Sequence, residues 1–409
     1  MSKTTCKDYF ENLAARIGEL WKADRYDELA FPNVAHRVLT DHPPNTQVSF
    51  MDAVKYGFFT YPLPFQEDIE AAFGEPPLTV HWQPDFRIEV LFWLQGLIAI
   101  HQHAFSGAFH VMDGSSLHTT WDFQCEERVA TRLLLGQLQL KKAEYLRAGD
   151  TRPIIAGKPL IHATCHLDRP TVSVVIRTNG EKEQLPQYTY LPPSVAYDAR
   201  NSGPRIKRHI QLLRLLSSTQ RYDELIDILF DLLERENDYS AFHYLLKAYG
   251  MFEDETNRDL ILSWASRKHR RLVEICRPVL MNIDRTNRIK QLREKIGQSD
   301  LQYFMALLLN IPRREEILNL IRERYPDDDP INMIIKWMNK LSQLGLPDVD
   351  FPETWLESLR SLLSTPSTPQ TFQAISVRGV HEATAAKMLE VDHFSKAVSI
   401  HWLLRPLFM

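Results

Sequence analysis

The run Gly96-Leu-Ile-Ala-Ile-His101-Gln-His103-Ala-Phe-Ser-Gly107-Ala-Phe-His-Val-Met-Asp113-Gly114 decides how this chain is read. Its apolar and β-branched residues favour strands, and Asp113-Gly114 supplies a tight turn. Successive side chains of a strand alternate between faces, so His101 and His103 are expected to point the same way. Two imidazoles on one face of a barrel wall can both reach a cation in the interior. Downstream, Pro153-Ile-Ile-Ala-Gly157-Lys-Pro-Leu-Ile-His162 offers a third imidazole just after a glycine-marked turn.

Working outward, the surrounding sequence has the same texture. From Leu78 the runs LTVHW, FRIEVLFWL, LIAIHQH, AFHVM, LHTTWDF and TVSVVIRT (171–178) follow one another, separated by turns such as Ala148-Gly149-Asp150 and Ala156-Gly157-Lys158. Short strands at this spacing predict an antiparallel sandwich or barrel. Residues 129–147 fit either a helix or a pair of strands. Ten of the 15 glycines lie between Gly57 and Gly203 and only four follow, which predicts a helical C-terminal half.

Before the strands, Phe10, Leu13, Ile17 and Leu20 recur at helix spacing until a break at Phe31-Pro32-Asn33, and a second short helix is expected over Phe65–Phe73. After them, LPPSVAYDARNSGP (191–204) has the composition of a linker. Beyond it, RYDELIDILFDLLERE places Leu225, Ile228, Leu229, Leu232 and Leu233 on one helix face, and RREEILNLIRERYP (313–326) is a weak echo of it. The expected architecture is α+β. A helical segment (1–75) precedes a β-barrel (76–190), and an all-α domain (205–409) of about eight to ten helices follows.

Composition narrows the function classes. At 409 residues, two or three domains are expected. A net charge of −4 disfavours a nucleic-acid binder, and Arg267-Lys-His-Arg-Arg271 reads as a solvated helix face. Four scattered cysteines without a CxxC pair suggest neither a disulfide scaffold nor a zinc knuckle. No apolar stretch approaches the ~20 residues of a membrane span, so a cytoplasmic protein with reduced thiols is expected. Asp327-Asp-Asp-Asp-Pro330 reads as a turn with a helix N-cap.

The histidine segments resemble the two motifs of the cupin superfamily, in which a Gly, an H-x-H pair and a closing Gly are followed by a Pro-x-Gly turn and a His. His101, His103, Gly114, Gly157 and His162 match, with looser spacing around Pro153. Trp93, Gly96, Ile100-His101-Gln102-His103, Ser106, Phe109 and Gly114-Ser-Ser-Leu117 are similar to the cysteine-dioxygenase-like thiol dioxygenases. The resemblance covers about residues 78–178 and nothing in the helical half. Gly107 and Ala108 stand where many cupins place a ligating acid, which fits the three neutral His ligands of the thiol dioxygenases. Ala108 also stands where some of those enzymes carry a crosslinked Cys, so the resemblance leaves the substrate open.

The resemblance implies a metal held by His101, His103 and His162, with His166 supporting it or contacting substrate. Three neutral ligands leave the cation its full charge and open positions, which favours an anionic chelating substrate with dioxygen beside it. Iron(II) suits that chemistry, and zinc would give hydrolysis instead. Arg87 and Arg177, on adjacent predicted strands, are candidate carboxylate anchors. His110 and His118 read as hairpin residues flanking the Asp113-Gly114 turn. The expected function is an iron-dependent oxygenase of a small thiol or amino-acid-like molecule, without a 2-oxoglutarate requirement. The alternative is a metal-free cupin that binds a ligand while the helical domain docks a partner protein or self-associates.

Overall fold

The computed structural model of the chain describes residues 5–67, 74–94, 96, 99–179, 186–252, 254–346, 349, 351, 353–364 and 403–408. The fold is α+β, with eleven strands and twelve α-helices among the described residues. By contact the chain divides into two compact units, residues 1–142 with 146–284 and residues 143–145 with 285–409.

The first unit begins with α1 (Cys6–Ala23), α2 (Phe31–Asp41) and α3 (Phe50–Phe59). Thr5 and Asp8 close a capping box on α1, so reciprocal side-chain bonds satisfy its first amides. The break expected at Phe31-Pro32 is the start of α2, because proline in a first helical turn forfeits no intrahelical bond. The helix expected over Phe65–Phe73 lies largely outside the described residues.

Eleven strands follow: β1 (Pro77–Trp82), β2 (Phe86–Trp93), β3 (His101–Gln102), β4 (Gly107–Asp113), β5 (Ser115–Ala130), β6 (Leu133–Arg147), β7 (Thr151–Ile154), β8 (Ile161–His166), β9 (Thr171–Thr178), β10 (Thr189–Leu191) and β11 (Val195–Tyr197). One sheet runs β1-β2-β9-β4-β7, and the other closes in the order β10-β11-β6-β5-β8-β3. Among the described residues the strands of both sheets pair antiparallel. The ambiguous 129–147 stretch holds the end of β5, its turn and all of β6, the second arm of a long hairpin. Gly136 lies where a Cβ would sit 2.0 Å from the Gln124 carbonyl oxygen, which explains a glycine inside a strand.

The stretch read as a linker is structured to residue 197. Its Val195, Ala196 and Tyr197 pair with Leu135, Leu134 and Leu133, and Val195 and Ala196 are fully buried. The proline pair precedes that strand instead of preventing it, because a proline outside a ladder withholds no bond from it.

Strand β2 is buried on both faces, which is why it reads as a continuous apolar run. Phe86, Ile88, Val90 and Phe92 pack outward on Phe10, Leu13, Ile17, Phe31 and Val38 of the N-terminal helices. Leu91 packs inward with Phe109, Val111 and Val175. Helices α4 (Pro204–Ser218), α5 (Tyr222–Arg235), α6 (Asp238–Ala248), α7 (Glu255–Ala265) and the first part of α8 (Arg270–Lys295) share a core with Leu133, Leu135, Val195 and Tyr197. On α5 the buried stripe is Leu225, Leu229 and Leu233, while Ile228 faces outward.

The second unit contains the end of α8, α9 (Ser299–Asn310), α10 (Arg314–Arg324), α11 (Pro330–Gln343) and α12 (Glu353–Ser364). Trp337 stacks on Phe304 at its centre. Asp329 caps α11 through its bond from the Asn332 amide, 2.8 Å, and Pro330 opens the helix, as the sequence predicts. Among the described residues no helix is long and apolar enough to cross a membrane.

Candidate metal centre

Register lines up the site. His101 on β3 pairs with His162 on β8, and Thr120 on β5 pairs with His162 from the other side. Directly opposed residues share a face, so these side chains point into the barrel, and alternation adds His103, Thr164, His118 and Ser116. Phe109, from the opposing sheet, closes over them with its ring 5.6 Å from that of His118 and 6.3 Å from that of His162.

His101, His103 and His162 each bring one ring nitrogen to a common point, the three atoms lying within 4.8 Å of one another. A carbonyl can only accept, so the 2.8 Å contact from His101 Nδ1 to the Ala99 oxygen puts the proton on Nδ1 and leaves Nε2 as a lone pair. His103 Nε2 and His162 Nε2 face each other at 2.8 Å. The far side of the His162 ring meets His118 Nε2 at 3.1 Å from its Nδ1.

Burial holds the His103 and His162 imidazoles well below their ordinary range and lowers that of His101. The positive charges of Arg177 and Arg200 push His103 the same way, and Arg200 also acts on His101. The three rings are therefore neutral near pH 7 and available as donors. A divalent cation fits this set: three convergent imidazole nitrogens, two of them 2.8 Å apart, with second partners on His101 and His162.

The remaining candidates lie at different distances from this point. His166 is four residues along β8 from His162, about 13 Å at a strand's rise. There its Nδ1 meets Ser116 Oγ at 2.9 Å and its ring stacks on Trp93, centroids 4.6 Å apart. The structure does not bring it together with the three-His cluster. His110 points to the outer face, between Thr151 Oγ1 (2.8 Å) and Asn45 Oδ1 (3.1 Å).

Arg87 and Arg177 are register partners on β2 and β9. The buried Arg87 donates Nε to Glu89 Oε1 at 2.9 Å and NH1 to Asn179 Oδ1 at 3.1 Å, and also contacts Glu67. Arg177 lies 3.6 Å from the other Glu89 oxygen and 3.8 Å above the Phe105 ring, which in turn touches the His103 ring at 4.4 Å between centroids. Arg177 thus stands one aromatic ring from the cluster, whereas the Arg87 guanidinium is committed to neighbouring side chains.

Sequence reasoning takes His118 for a hairpin residue and does not single out Arg200 or Phe105, which the structure places beside the cluster. His118 was legible only through strand register, since it sits diagonally across from His162. Arg200 follows the β11 strand hidden in the supposed linker. The Asp198 carboxylate fixes its turn by accepting from the Arg200 and Asn201 amides at 3.1 and 3.2 Å.

No family model matches the sequence, and no curated protein matches it. Solved structures similar to the chain include a cupin-2 domain containing protein from Shewanella frigidimarina NCIMB 400, 16% identical, covering 32% of this chain and 94% of that one, with a TM-score of 0.20. The DMSP lyase DddQ from Ruegeria pomeroyi DSS-3 is 16% identical, covering 43% of this chain and 93% of that one, with a TM-score of 0.23. An oxalate oxidase is 16% identical over 37% of this chain and 68% of its own, with a TM-score of 0.20. Likeness at this level assigns no residue role. The strand pairing and side-chain geometry define a closed antiparallel β-barrel with a three-histidine cluster inside it.

Proposed function

We propose that the chain is a cupin-superfamily enzyme in which His101, His103 and His162 hold one divalent metal, iron(II), and that it is a mononuclear non-haem oxygenase of a small thiol or amino-acid-like anion. The observation that carries this reading is the convergence of three neutral imidazole nitrogens with no carboxylate among them. Such a donor set leaves the ion's charge uncompensated, so an anionic substrate is favoured over a neutral one.

Iron(II) would supply Lewis acidity and one-electron chemistry at this point. The chain's own residues do the rest. Arg177 and Arg200 place positive charge beside the cluster and would draw in and orient the substrate's anionic end. Phe105 and Phe109 line it with apolar rings that exclude water and strengthen those attractions. Arg87 would act indirectly, by holding the buried Glu89 that anchors Arg177. His166, bonded to Ser116 and stacked on Trp93, would support the barrel wall beside the site instead of touching so small a substrate. A cytoplasmic location, where iron(II) and thiols stay reduced, belongs to the same proposal.

The test is an anaerobic titration of the iron-loaded protein with a panel of thiols and amino acids, followed by oxygen uptake with and without 2-oxoglutarate. A substrate should perturb the iron spectrum before oxygen is admitted, and uptake should begin only once it is present. Strict dependence on 2-oxoglutarate would sink the reading, and full activity with zinc alone would replace it with hydrolysis.

A further inference from the structure

We infer that His118 is a positioning residue that makes His162 a metal ligand, by fixing which nitrogen of the His162 ring carries the proton; the inference rests on the metal-site reading above. A neutral imidazole carries one proton, on Nδ1 or on Nε2. His162 turns Nε2 toward His103 and the common point, and Nδ1 toward His118 Nε2 at 3.1 Å. Only two arrangements of that contact are possible for neutral rings. If His162 Nδ1–H donates to His118 Nε2, His162 Nε2 is a lone pair and can bind a cation. If His118 Nε2–H donates instead, His162 must carry its proton on Nε2 and cannot.

The surroundings make this choice consequential. His162 and His118 are both buried, at 4% and 3% exposure, so water does not offer Nδ1 another partner. Thr164, directly opposite His118, and Thr120, directly opposite His162, fix the two backbones in register. The Phe109 ring packs edge-on against His118 at 5.6 Å and limits its rotation. His101 has its tautomer set by a backbone carbonyl, which cannot change roles; His162 has its tautomer set by a side chain, which can. Partners of this kind orient a ligating imidazole and raise its basicity, and their loss weakens metal affinity roughly 10- to 100-fold.

The test uses the full chain, stripped of metal, with cobalt(II) as probe in competition with a chromophoric chelator. His118→Phe keeps the ring's bulk but removes the acceptor, and should weaken cobalt binding roughly 10- to 100-fold with circular dichroism unchanged. His118→Gln places an amide oxygen near the position of Nε2 and should restore affinity to within about threefold of the wild type. A merely structural role for His118 would not be rescued by glutamine in this way. Nitrogen-15 spectra of histidine-labelled, metal-free protein supply a second readout, which also serves should His118→Phe fail to fold. His162 should be protonated on Nδ1 in the wild type and in His118→Gln.

Equal cobalt affinity in His118→Phe and the wild type would overturn the assignment. So would a His162 ring protonated on Nε2 in the wild type, or a His118→Gln variant as weak as His118→Phe. A wild type that takes up no cobalt would overturn the metal site itself and this inference with it, and the wild-type titration alone shows which has failed.

Discussion

Replacing Arg87 by methionine separates a structural role for this arginine from direct substrate binding. Its guanidinium makes a 2.9 Å bond to Glu89, and the two side chains are 2% and 1% exposed. Removing it strands a buried carboxylate whose remaining charged neighbour, Arg177, stands 3.6 Å away. Breaking a buried pair from one side costs roughly 3–5 kcal/mol, because the surviving charge loses its compensation without regaining water. For a unit of this size that corresponds to a melting temperature lower by roughly 6–20 °C. The double variant Arg87→Met/Glu89→Leu removes that carboxylate and should recover part of the loss, the remainder persisting because Arg177 then loses its own carboxylate neighbour. Thermal unfolding of the metal-stripped protein at pH 7, followed by circular dichroism, measures both. If Arg87→Met melts within a degree or two of the wild type, or the double variant is as unstable as the single one, the buried-network reasoning is wrong and Arg87 is free to serve the substrate.

Further outcomes follow from the same geometry. Gly107→Ala would place a Cβ 1.9 Å from the Ile176 carbonyl oxygen and force β4 from β9, so it should be destabilised by roughly 1–3 kcal/mol or more; Gly18→Ala, in open space on α1, should be neutral or stabilising by up to about 1 kcal/mol. His110 is fully buried and burial lowers its pKa from 6.5 to about 4, so between those values the unfolded chain binds the proton more tightly. Its contribution is therefore intact above pH 6.5 and declines as pH falls, by about 3 kcal/mol at pH 4; His110→Gln should show a correspondingly flatter loss of melting temperature between pH 7 and pH 4.5. His166→Ala should keep its metal while turnover falls, and metal loss equal to that of His162→Ala would make this a four-histidine site.

The legible parts of this structure were those encoded by local pattern. Alternation put His101 and His103 on one face, and the Asp113-Gly114 turn returned the chain toward the opposing sheet, with Gly114 at a φ of +76° that side chains disfavour. The α1 stripe and the Asp329 cap were readable for the same reason. Signals that depend on pairing partners were not. Val195–Tyr197 looks like a linker because three residues between prolines and polar groups carry too little periodicity, and only the ladder to Leu133–Leu135 makes them a strand. His118 looks like a hairpin residue until register sets it against His162. His166 shares the His162 face, as alternation predicts, but a strand's length keeps it from the same cation.

The most direct measurement is the metal content of the purified, iron-loaded protein beside its His101→Ala/His103→Ala variant, by elemental analysis after gel filtration. Two of the three convergent nitrogens are then gone, and His162 alone cannot hold a cation against water. The wild type should retain about one metal per chain and the variant almost none, with unchanged circular dichroism. A double variant that still copurifies with stoichiometric metal, or a correctly folded wild type that binds none, would contradict the assignment of the cluster as a metal centre.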